Sequence, residues 1–369
     1  MASPIIQINL DHLIENTRLI KERAKDAEVL AVVKANAYGH GAIDVSRALE
    51  AAGIRYLGVF SIDEAIELRN EGIKAKILIF ERLTNETIRL ATENSVIVNV
   101  SWFGDLELLK IAMTNRIKLP QFHLKLDTGM SRLGIPYLEA TSFINEIKSQ
   151  LGVEPEGIYS HLSTSDEGDL SFAYEQKHRF DIAIENINNI CSPKWIHIAN
   201  SGGLVNMPDS FYNMVRVGML IYGANPSSEI VDPIPIQPVM NFKGEIVLVR
   251  RVEAGTPVSY GALYKPSSDS YLAVIQVGFA DGIPRPWFER GFILFRGKPY
   301  RIAGRICMDQ FMVDFGDLKP QEGEQVLIWG KDGNNALPVE EISRDIGLSP
   351  YAIFTGLGGK RIKRELLNE

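Results

Sequence analysis

Apolar runs and amphipathic stretches alternate along the chain as far as Ile221. The apolar runs are short and rich in β-branched residues, which predicts buried strands, and the segments between them have helical periodicity. The predicted strands are Glu28–Val33, Tyr56–Phe60, Lys76–Phe80, Ser95–Val100, Gln121–Leu126, Gly157–Leu162, Trp195–Ala199 and Met214–Ile221. A helix is predicted ahead of them at Asp11–Lys25, with Asp11 as its cap.

Eight strands with interleaved helices over just over 200 residues favour a (β/α)₈ barrel. A doubly wound open sheet is the alternative. It is less consistent with the sequence, because no GxGxxG motif opens the first βα turn.

The pattern changes after Tyr222. A segment rich in Pro, Asn and Ser predicts a linker, and the short alternating runs beyond it predict a mostly β domain. Its strands are expected at Lys243–Val252, Tyr271–Val277, Phe292–Phe295, Ile302–Met308, Met312–Phe315 and Gln325–Trp329, with partly helical segments at Pro338–Ile346 and Pro350–Phe354. We therefore predict a barrel at residues 10–226 and a β domain at residues 227–369, which the N-terminal strand at residues 1–9 joins. The basic end of the chain is expected to be a solvated surface.

Composition narrows the function classes. The 369 residues have a net charge of −7, which gives no reason to expect a nucleic-acid partner. No signal peptide and no apolar stretch of membrane length is evident, so a cytoplasmic protein without membrane contact is expected. Cys191 and Cys307 form neither a disulfide framework nor a metal-type spacing with histidine, so no metal site is expected.

The segment AVVKANAYGHG places Lys34 at the end of a predicted buried strand, before a glycine-flanked loop. Burial lowers the pKa of a lysine, and a neutral amine can form a Schiff base with an aldehyde. A lysine that merely extends to solvent is the alternative. The other polar residues at predicted strand ends are Asp127, His161, Ser201, Arg216 and the neighbouring Gly218. Since barrel enzymes carry their functional groups at these ends, the set suggests a site for an anionic, carbonyl-bearing molecule.

Seven motifs, in this order, resemble the alanine racemase family. They are Lys34 in AVVKANAYGHG, Arg132 in KLDTGMSRLG, His161 in SHLSTSDE, Ser201 in ANSGG, Arg216 in MVRVGMLIYG, Tyr260 in VSYGALY, and Met308-Asp309 in GRICMDQFMV. The resemblance implies a pyridoxal-5′-phosphate-dependent isomerase that interconverts L-alanine and D-alanine, with D-alanine serving cell-wall synthesis. The cofactor acidifies the Cα–H of an amino acid that is bound to it as an imine.

The resemblance also implies roles for the catalytic residues. Lys34 would hold the cofactor and then act as one base, and Tyr260 would be the base on the opposite face. His161 would assist Tyr260 and connect it to Arg216, which faces the pyridine nitrogen. Because arginine does not readily give up a proton, it would leave that nitrogen unprotonated.

Binding residues follow from the same resemblance. The phosphate would be held by the hydroxyls of Tyr38 and Ser201 and by the backbone N–H groups of Gly218 and Met219. The substrate carboxylate would be bound by Arg132 and the Met308 N–H, with Asp309 in support. Lys125 matches a lysine that is often carbamylated in the family, and as an anion it would orient Arg132.

The resemblance further implies a head-to-tail homodimer with shared active sites, because in this family the tyrosine base reaches the partner's barrel. Two departures affect the expected pocket. Phe279 stands in VGFADG, where the family often has tyrosine, and Gly359 stands near the end, where some members have a tyrosine. Both changes are expected to widen the pocket. Tyr351 could supply a hydroxyl nearby, but the sequence does not place it.

Three alternatives stay open: a serine or broad-specificity racemase, a non-catalytic pyridoxal phosphate carrier, and a barrel decarboxylase. The β domain and Tyr260 disfavour the carrier, and the absence of cysteine in VSYGALY disfavours the decarboxylase. Cys307 is interpreted as a small buried hydrophobe. Cys191, His123, His178 and His197 are expected to be structural, and His40 is expected to face outward from the cofactor loop.

Overall fold

The eight apolar runs form the parallel strands of a barrel in the computed structural model, which describes residues 3–230 and 232–367. The strands of this half are β1 (Ile5–Asn9), β2 (Glu28–Val32), β3 (Tyr56–Val59), β4 (Lys76–Ile79), β5 (Val96–Val100), β6 (Phe122–Asp127), β7 (Ile135–Pro136), β8 (Gly157–Tyr159), β9 (Trp195–His197) and β10 (Met214–Val217). The α-helices are α1 (Leu10–Ala24), α2 (Ala42–Ala51), α3 (Ile62–Asn70), α4 (Asn85–Glu93), α5 (Asp105–Thr114), α6 (Ala140–Leu151), α7 (Ser171–Asn188) and α8 (Ser201–Asn206).

The barrel sheet runs in the order β10-β2-β3-β4-β5-β6-β8-β9, and β7 adds to β6. Strands β9 and β10 are joined only by isolated backbone hydrogen bonds, such as the one from Arg216 N to Ala199 O (3.0 Å), and not by a continuous ladder. The predicted barrel is confirmed, and it is nearly closed.

Packing explains the strand sequences. Leu30 and Ala31 of β2 are fully buried, as expected for a strand covered on both faces. Gly58 of β3 leaves room for its neighbours, since a Cβ there would lie 2.7 Å from Leu30 Cδ2.

The predicted cap of α1 is wrong by two positions: Asn9 accepts the His12 N–H (2.9 Å), and Asp11 lies in the first turn.

The second half is built on a nine-stranded sheet. Its elements are β11 (Met240–Val252), β12 (Ser270–Ile275), β13 (Phe292–Phe295), β14 (Lys298–Arg301), β15 (Phe311–Asp314), β16 (Gln325–Asp332), β17 (Asn335–Leu337), β18 (Lys363–Leu367), and the helices α9 (Val339–Ile346) and α10 (Pro350–Thr355). The main path is β14-β13-β16-β11-β1-β18, with β12 on β11 and β15 on β12. The N-terminal strand β1 thus joins this sheet, as predicted.

The predicted strand Ile302–Met308 is wrong. Only Ile302 makes a strand-like bridge, to Val313, and the chain then turns at Gly304, whose φ is +79°. A Cβ on Gly304 would lie 2.9 Å from the Val258 carbonyl oxygen, so a close backbone approach replaces the ladder here. The sequence also missed the short strands β14 and β17.

The basic end of the chain is solvent-exposed, as predicted, but part of it also forms a strand. Its residues form β18, which pairs in parallel with β1 and remains largely exposed. Arg361 binds the buried Asp281 carboxylate through two nitrogens (2.7 and 2.5 Å). The predicted domain limits remain predictions, and they include residues 1–2, 231 and 368–369, which lie outside the described residues. Every helix within the described ranges is too short or too polar to cross a membrane.

Candidate active site

A cavity of about 290 Å³ opens among the carboxyl ends of the barrel strands. It brings together the sequence-predicted residues Lys34, Tyr38, Lys125, Arg132, His161, Ser201, Arg216 and Gly218. Its other lining residues are Val32, Phe60, Phe80, Leu133, Tyr159, Asn200 and Tyr351. Met219 is fully buried directly after Gly218.

Lys34 reaches the cavity from the end of β2. Its side chain is half-buried, and burial followed by the charge of Arg132 lowers the pKa of its amine. The Glu64 carboxylate acts in the opposite direction. Burial and the Arg132 charge both favour the neutral amine, which is the nucleophilic form.

The segment after Lys34 is a left-handed helical turn rather than the irregular loop that its glycines predicted. Ala35, Asn36, Ala37 and Tyr38 have φ values of 51–53°. This conformation costs L-residues roughly 1–2 kcal/mol each. Backbone bonds close the turn, among them the bond from Ala37 N to Val33 O (2.8 Å). The turn directs Lys34 and Tyr38 into one cavity.

His40 is buried beneath this turn, so the expectation that it faces outward is wrong. Its Nδ1–H lies 3.0 Å from both the Ala37 and the Tyr38 carbonyl oxygens. Its ring packs between Tyr222 and Phe354, with centroid distances of 4.5 and 5.0 Å. Burial lowers its pKa to about 4, so the imidazole is neutral.

Tyr38, Ser201 and Gly218 form one corner of the cavity. Gly218 N donates to Ser201 Oγ (3.2 Å), and a Cβ on Gly218 would lie 2.7 Å from Tyr38 Oη. The glycine therefore leaves space at this corner that a side chain would fill. Burial raises the pKa of Tyr38, which keeps its hydroxyl protonated and able to donate.

Tyr351 completes this corner from the β domain. It lies on α10, and its ring is 5.6 Å from the Tyr38 ring, centroid to centroid. The sequence left its position open, because no local pattern shows that α10 packs on the turn after Lys34. Burial also raises the pKa of Tyr351, so it too presents a protonated hydroxyl.

Arg216 is the buried cation of the site. Its Nη2 is 3.1 Å from His161 Nδ1, and its Nη1 is 3.0 Å from His197 Nδ1. Because a guanidinium only donates, both imidazoles accept at Nδ1 and carry their proton on Nε2. Burial lowers the pKa of Arg216 to about 10, so it stays charged near neutral pH, whereas the pKa of His161 lies well below its usual value because of burial and the Arg216 charge.

His197 continues the hydrogen bonds away from the cavity. Its Nε2 lies 2.9 Å from His123 Nδ1, and its ring stacks on Tyr159 at 5.0 Å. The expectation that His123 and His197 are merely structural missed the contact of His197 with Arg216. The sequence did indicate that His123 lies on the same face of the barrel wall as a predicted site residue, because His123 and Lys125 are two positions apart on β6.

Lys125 is a buried amine with two neighbouring arginines. Burial, then Arg132 and Arg216, lowers its pKa to about 7, and Asp127 opposes them. Asp127 also fixes the loop that carries Arg132, since its carboxylate accepts the backbone N–H groups of Gly129 (2.9 Å) and Ser131 (3.1 Å).

Tyr260, Met308 and Asp309 lie outside this cavity on the surface of the β domain. Tyr260 is 65% exposed and Met308 57% exposed. We refer to residues 259–263, 278–280 and 305–309 as the β-domain loop cluster. Its loops are joined by bonds such as Ser259 Oγ to Arg305 O (2.7 Å) and Ala280 N to Met308 O (3.0 Å).

The two expected pocket-widening residues do not line the barrel cavity of their own chain. Phe279 belongs to the β-domain loop cluster, and a Cβ on Gly359 would lie 3.4 Å from Ala280 O. Cys307 is only half-buried rather than a buried small hydrophobe, and its Sγ lies 3.7 Å from Ser259 Oγ. Among the described residues, no three His, Cys, Asp or Glu side chains converge as a metal site.

The barrel, its appended β domain and the strand-end lysine define the class: two-domain barrel proteins with a lysine amine in the barrel cavity. Residues 8–226 match the family described as alanine racemase, N-terminal domain, and residues 239–366 match alanine racemase, C-terminal domain. The chain belongs to the alanine racemase family, a family of pyridoxal-phosphate-dependent isomerases that act on amino acids.

Individual relatives agree with this assignment. Alanine racemase 2 of Caldanaerobacter subterraneus is 35% identical over 366 residues, covering 97% of this chain and 93% of the relative. The structure of alanine racemase from the D-cycloserine-producing Streptomyces lavendulae has a TM-score of 0.94 at 33% identity, covering 100% and 98% of the two chains. An alanine racemase from Bartonella henselae, solved with covalently bound pyridoxal phosphate, has a TM-score of 0.88 at 30% identity over 100% of both chains.

Proposed function

We propose that this protein interconverts L-alanine and D-alanine with pyridoxal phosphate as its cofactor. The observation that carries the proposal is that one cavity holds Lys34 together with the Arg216–His161 pair. A lysine amine beside a buried, charged arginine suits an aldehyde cofactor whose ring nitrogen accepts a hydrogen bond.

The residues present fit this cofactor. Lys34 would bind its aldehyde carbon, and Arg216 would donate to its ring nitrogen. The corner at Ser201 and Gly218, where a Cβ would fill the space beside Tyr38, suits the phosphate. The backbone N–H of Met219 and the Tyr351 hydroxyl are further donors for it. When bound, pyridoxal phosphate withdraws electrons from the amino acid Cα.

The protein's own groups would then move the proton. Lys34 has a lowered pKa and would take or return the proton on one face of Cα. Tyr260 would do the same on the other face. Arg216 would keep its proton, because a guanidinium remains charged, and this limits the electron withdrawal to what racemisation needs. His161 has its Nε2–H available to orient the Tyr260 hydroxyl.

A second copy of the chain would supply Tyr260. In one chain this tyrosine is largely exposed, as are the neighbouring Leu263 (57%) and Met308 (57%). Adjacent exposed apolar side chains mark a surface that another protein covers. We therefore infer a head-to-tail homodimer in which Tyr260, Met308 and Asp309 complete the partner's cavity. The Met308 N–H and Arg132 would hold the substrate carboxylate.

Lys125 would carry a carbamate. A lysine with a pKa of about 7 is substantially neutral near physiological pH and can attack CO₂. A new N–C bond forms, one C–O π bond of CO₂ opens and the nitrogen releases one proton, so the neutral amine near Arg132 and Arg216 becomes an anion that would orient Arg132. The cytoplasmic location expected from the sequence stays a prediction, as does the supply of D-alanine to the cell wall.

Chiral analysis of the products tests the function. The purified, cofactor-loaded protein is given L-alanine, L-serine and larger L-amino acids separately, and D-alanine is expected to form fastest. Comparable amounts of D-serine would support the broad-specificity alternative. Cofactor binding without any D-product would overturn the proposal and favour the carrier or, where CO₂ is released, the decarboxylase.

A further inference from the structure

The Glu64 carboxylate joins two loops at the rim of the cavity. It accepts the backbone N–H of Ala35 on one oxygen (2.7 Å), and those of Phe60 (2.7 Å) and Ser61 (3.3 Å) on the other. Ala35 follows the β2 strand end and Phe60 follows β3, so one side chain ties neighbouring strand ends together. Both of its oxygens are therefore committed to backbone donors.

These contacts are close to Lys34. Ala35 is the next residue, and it begins the left-handed turn, whose four non-glycine residues adopt an unfavourable conformation. Phe60 lines the cavity itself. A conformation of this kind persists only where its surroundings hold it, and Glu64 supplies a charged acceptor at its first residue.

We propose that Glu64 is a positioning residue that keeps the turn after Lys34 left-handed and thereby directs the Lys34 amine at the cofactor. This inference rests on the proposed function, because it concerns the attachment of pyridoxal phosphate. Glu64 also supplies the negative charge that counteracts burial and Arg132 at Lys34.

A purely structural role would be helix capping. The Ser61 side chain accepts the Glu64 N–H (3.3 Å), and together the two residues form a capping box at the start of α3. Loss of a cap lowers stability without a specific effect on a lysine at the neighbouring strand end. A substitution at Ser61 separates the capping role from the positioning role, because the Ser61 side chain takes part in the cap and not in the bond to Ala35.

The central variant is Glu64→Gln. A glutamine has nearly the same shape but only one accepting oxygen, so its amide nitrogen must face backbone N–H donors on one side. The matched controls are Ser61→Ala, which removes only the cap, and Glu67→Gln, which removes the same charge one turn later on α3 from an exposed side chain.

Three properties are measured for each full-length protein: the dissociation constant for pyridoxal phosphate, the pH midpoint of its covalent attachment by absorbance, and the melting temperature without cofactor. For Glu64→Gln we expect at least tenfold weaker binding and a midpoint at lower pH, because losing a nearby negative charge lowers the pKa of Lys34 further. Ser61→Ala should lower only the melting temperature, and Glu67→Gln should change none of the three.

Binding within twofold of wild type and an unchanged midpoint in Glu64→Gln would overturn the inference. If that variant does not fold, Glu64→Asp is used instead, because aspartate keeps the charge but has a shorter reach. Weaker binding of pyridoxal phosphate with a near-normal pH midpoint of attachment would support the positioning role of Glu64. Unchanged binding would overturn it. A wild-type protein that binds no pyridoxal phosphate would instead overturn the proposed function.

Discussion

Five of the seven family motifs lie at the barrel cavity and two lie in the β-domain loop cluster, and the two regions differ in how they are built. In the cavity, Arg216 is 4% exposed and makes hydrogen bonds to two histidines and three backbone carbonyls. In the loop cluster, Tyr260 and Met308 are more than half exposed. Under the proposed function, one chain would bind the cofactor by itself, whereas completing the substrate site would need a second surface.

Mixing two inactive variants tests this division most directly. Lys34→Ala should abolish covalent attachment and reduce racemisation by about 10⁴-fold or more, and Tyr260→Phe should reduce it by roughly 10²–10⁴-fold with the cofactor still bound. In a shared-site dimer, half of the sites in each mixed dimer contain both intact residues, so mixing the two should recover roughly a quarter of wild-type activity.

The measurement is racemase activity after the two variants are unfolded together and refolded, with Lys74→Ala at an exposed position as the control for Lys34→Ala. If properly refolded mixtures show no recovery, the two residues act within one chain, and the β-domain loop cluster does not complete the cavity of a partner.

The buried histidines predict how the cavity side responds to acid. His40 has a pKa of about 4 when folded and about 6.5 when unfolded, so below pH 6.5 the unfolded chain binds the proton first. Stability is therefore intact above pH 6.5 and is lost as the pH falls toward 4, by about 3 kcal/mol for this residue.

Chemical denaturation at a series of pH values measures this loss. Replacing His40 with Phe should flatten the profile between pH 6.5 and 4, whereas the same change at the exposed His178 should leave its slope unchanged. Equal slopes for wild type and the His40 variant would mean that folding does not lower the pKa of this histidine.

The smallest effect is expected at Tyr351, which belongs to the β domain but lines the barrel cavity. Tyr351→Phe removes one hydroxyl, and one hydrogen bond contributes a net of about 0.5–1.5 kcal/mol. Pyridoxal phosphate should bind roughly two- to tenfold more weakly, as measured by absorbance titration. Tyr174→Phe at an exposed position is the control, and identical affinities would place the Tyr351 hydroxyl away from the phosphate.

The sequence could predict the barrel because its strands are short and mostly apolar, which reflects burial on both faces. It could predict Lys34, Arg132 and Arg216 because strand ends and motifs mark them. It could not predict the left-handed turn, whose first N–H is held by Glu64 from the next βα unit, nor the burial of His40 against Phe354 of the β domain. The Ile302–Met308 segment was misassigned because apolar alternation does not reveal a close approach at Gly304. In each case a distant part of the chain decides the local conformation.

The pairing of β1 with β11 and β18 has a consequence for the order of folding. Strand β1 precedes the barrel in the chain but has its partners after it, at residues 240–252 and 363–367. The barrel can gather as its successive units appear, since each strand pairs mainly with the next. One edge of β1, however, stays unpaired until residues 240–252 are made, and the other until residues 363–367 are made. A nascent chain therefore carries an exposed apolar strand while the barrel is being synthesised, and this strand is where a chaperone would be most useful.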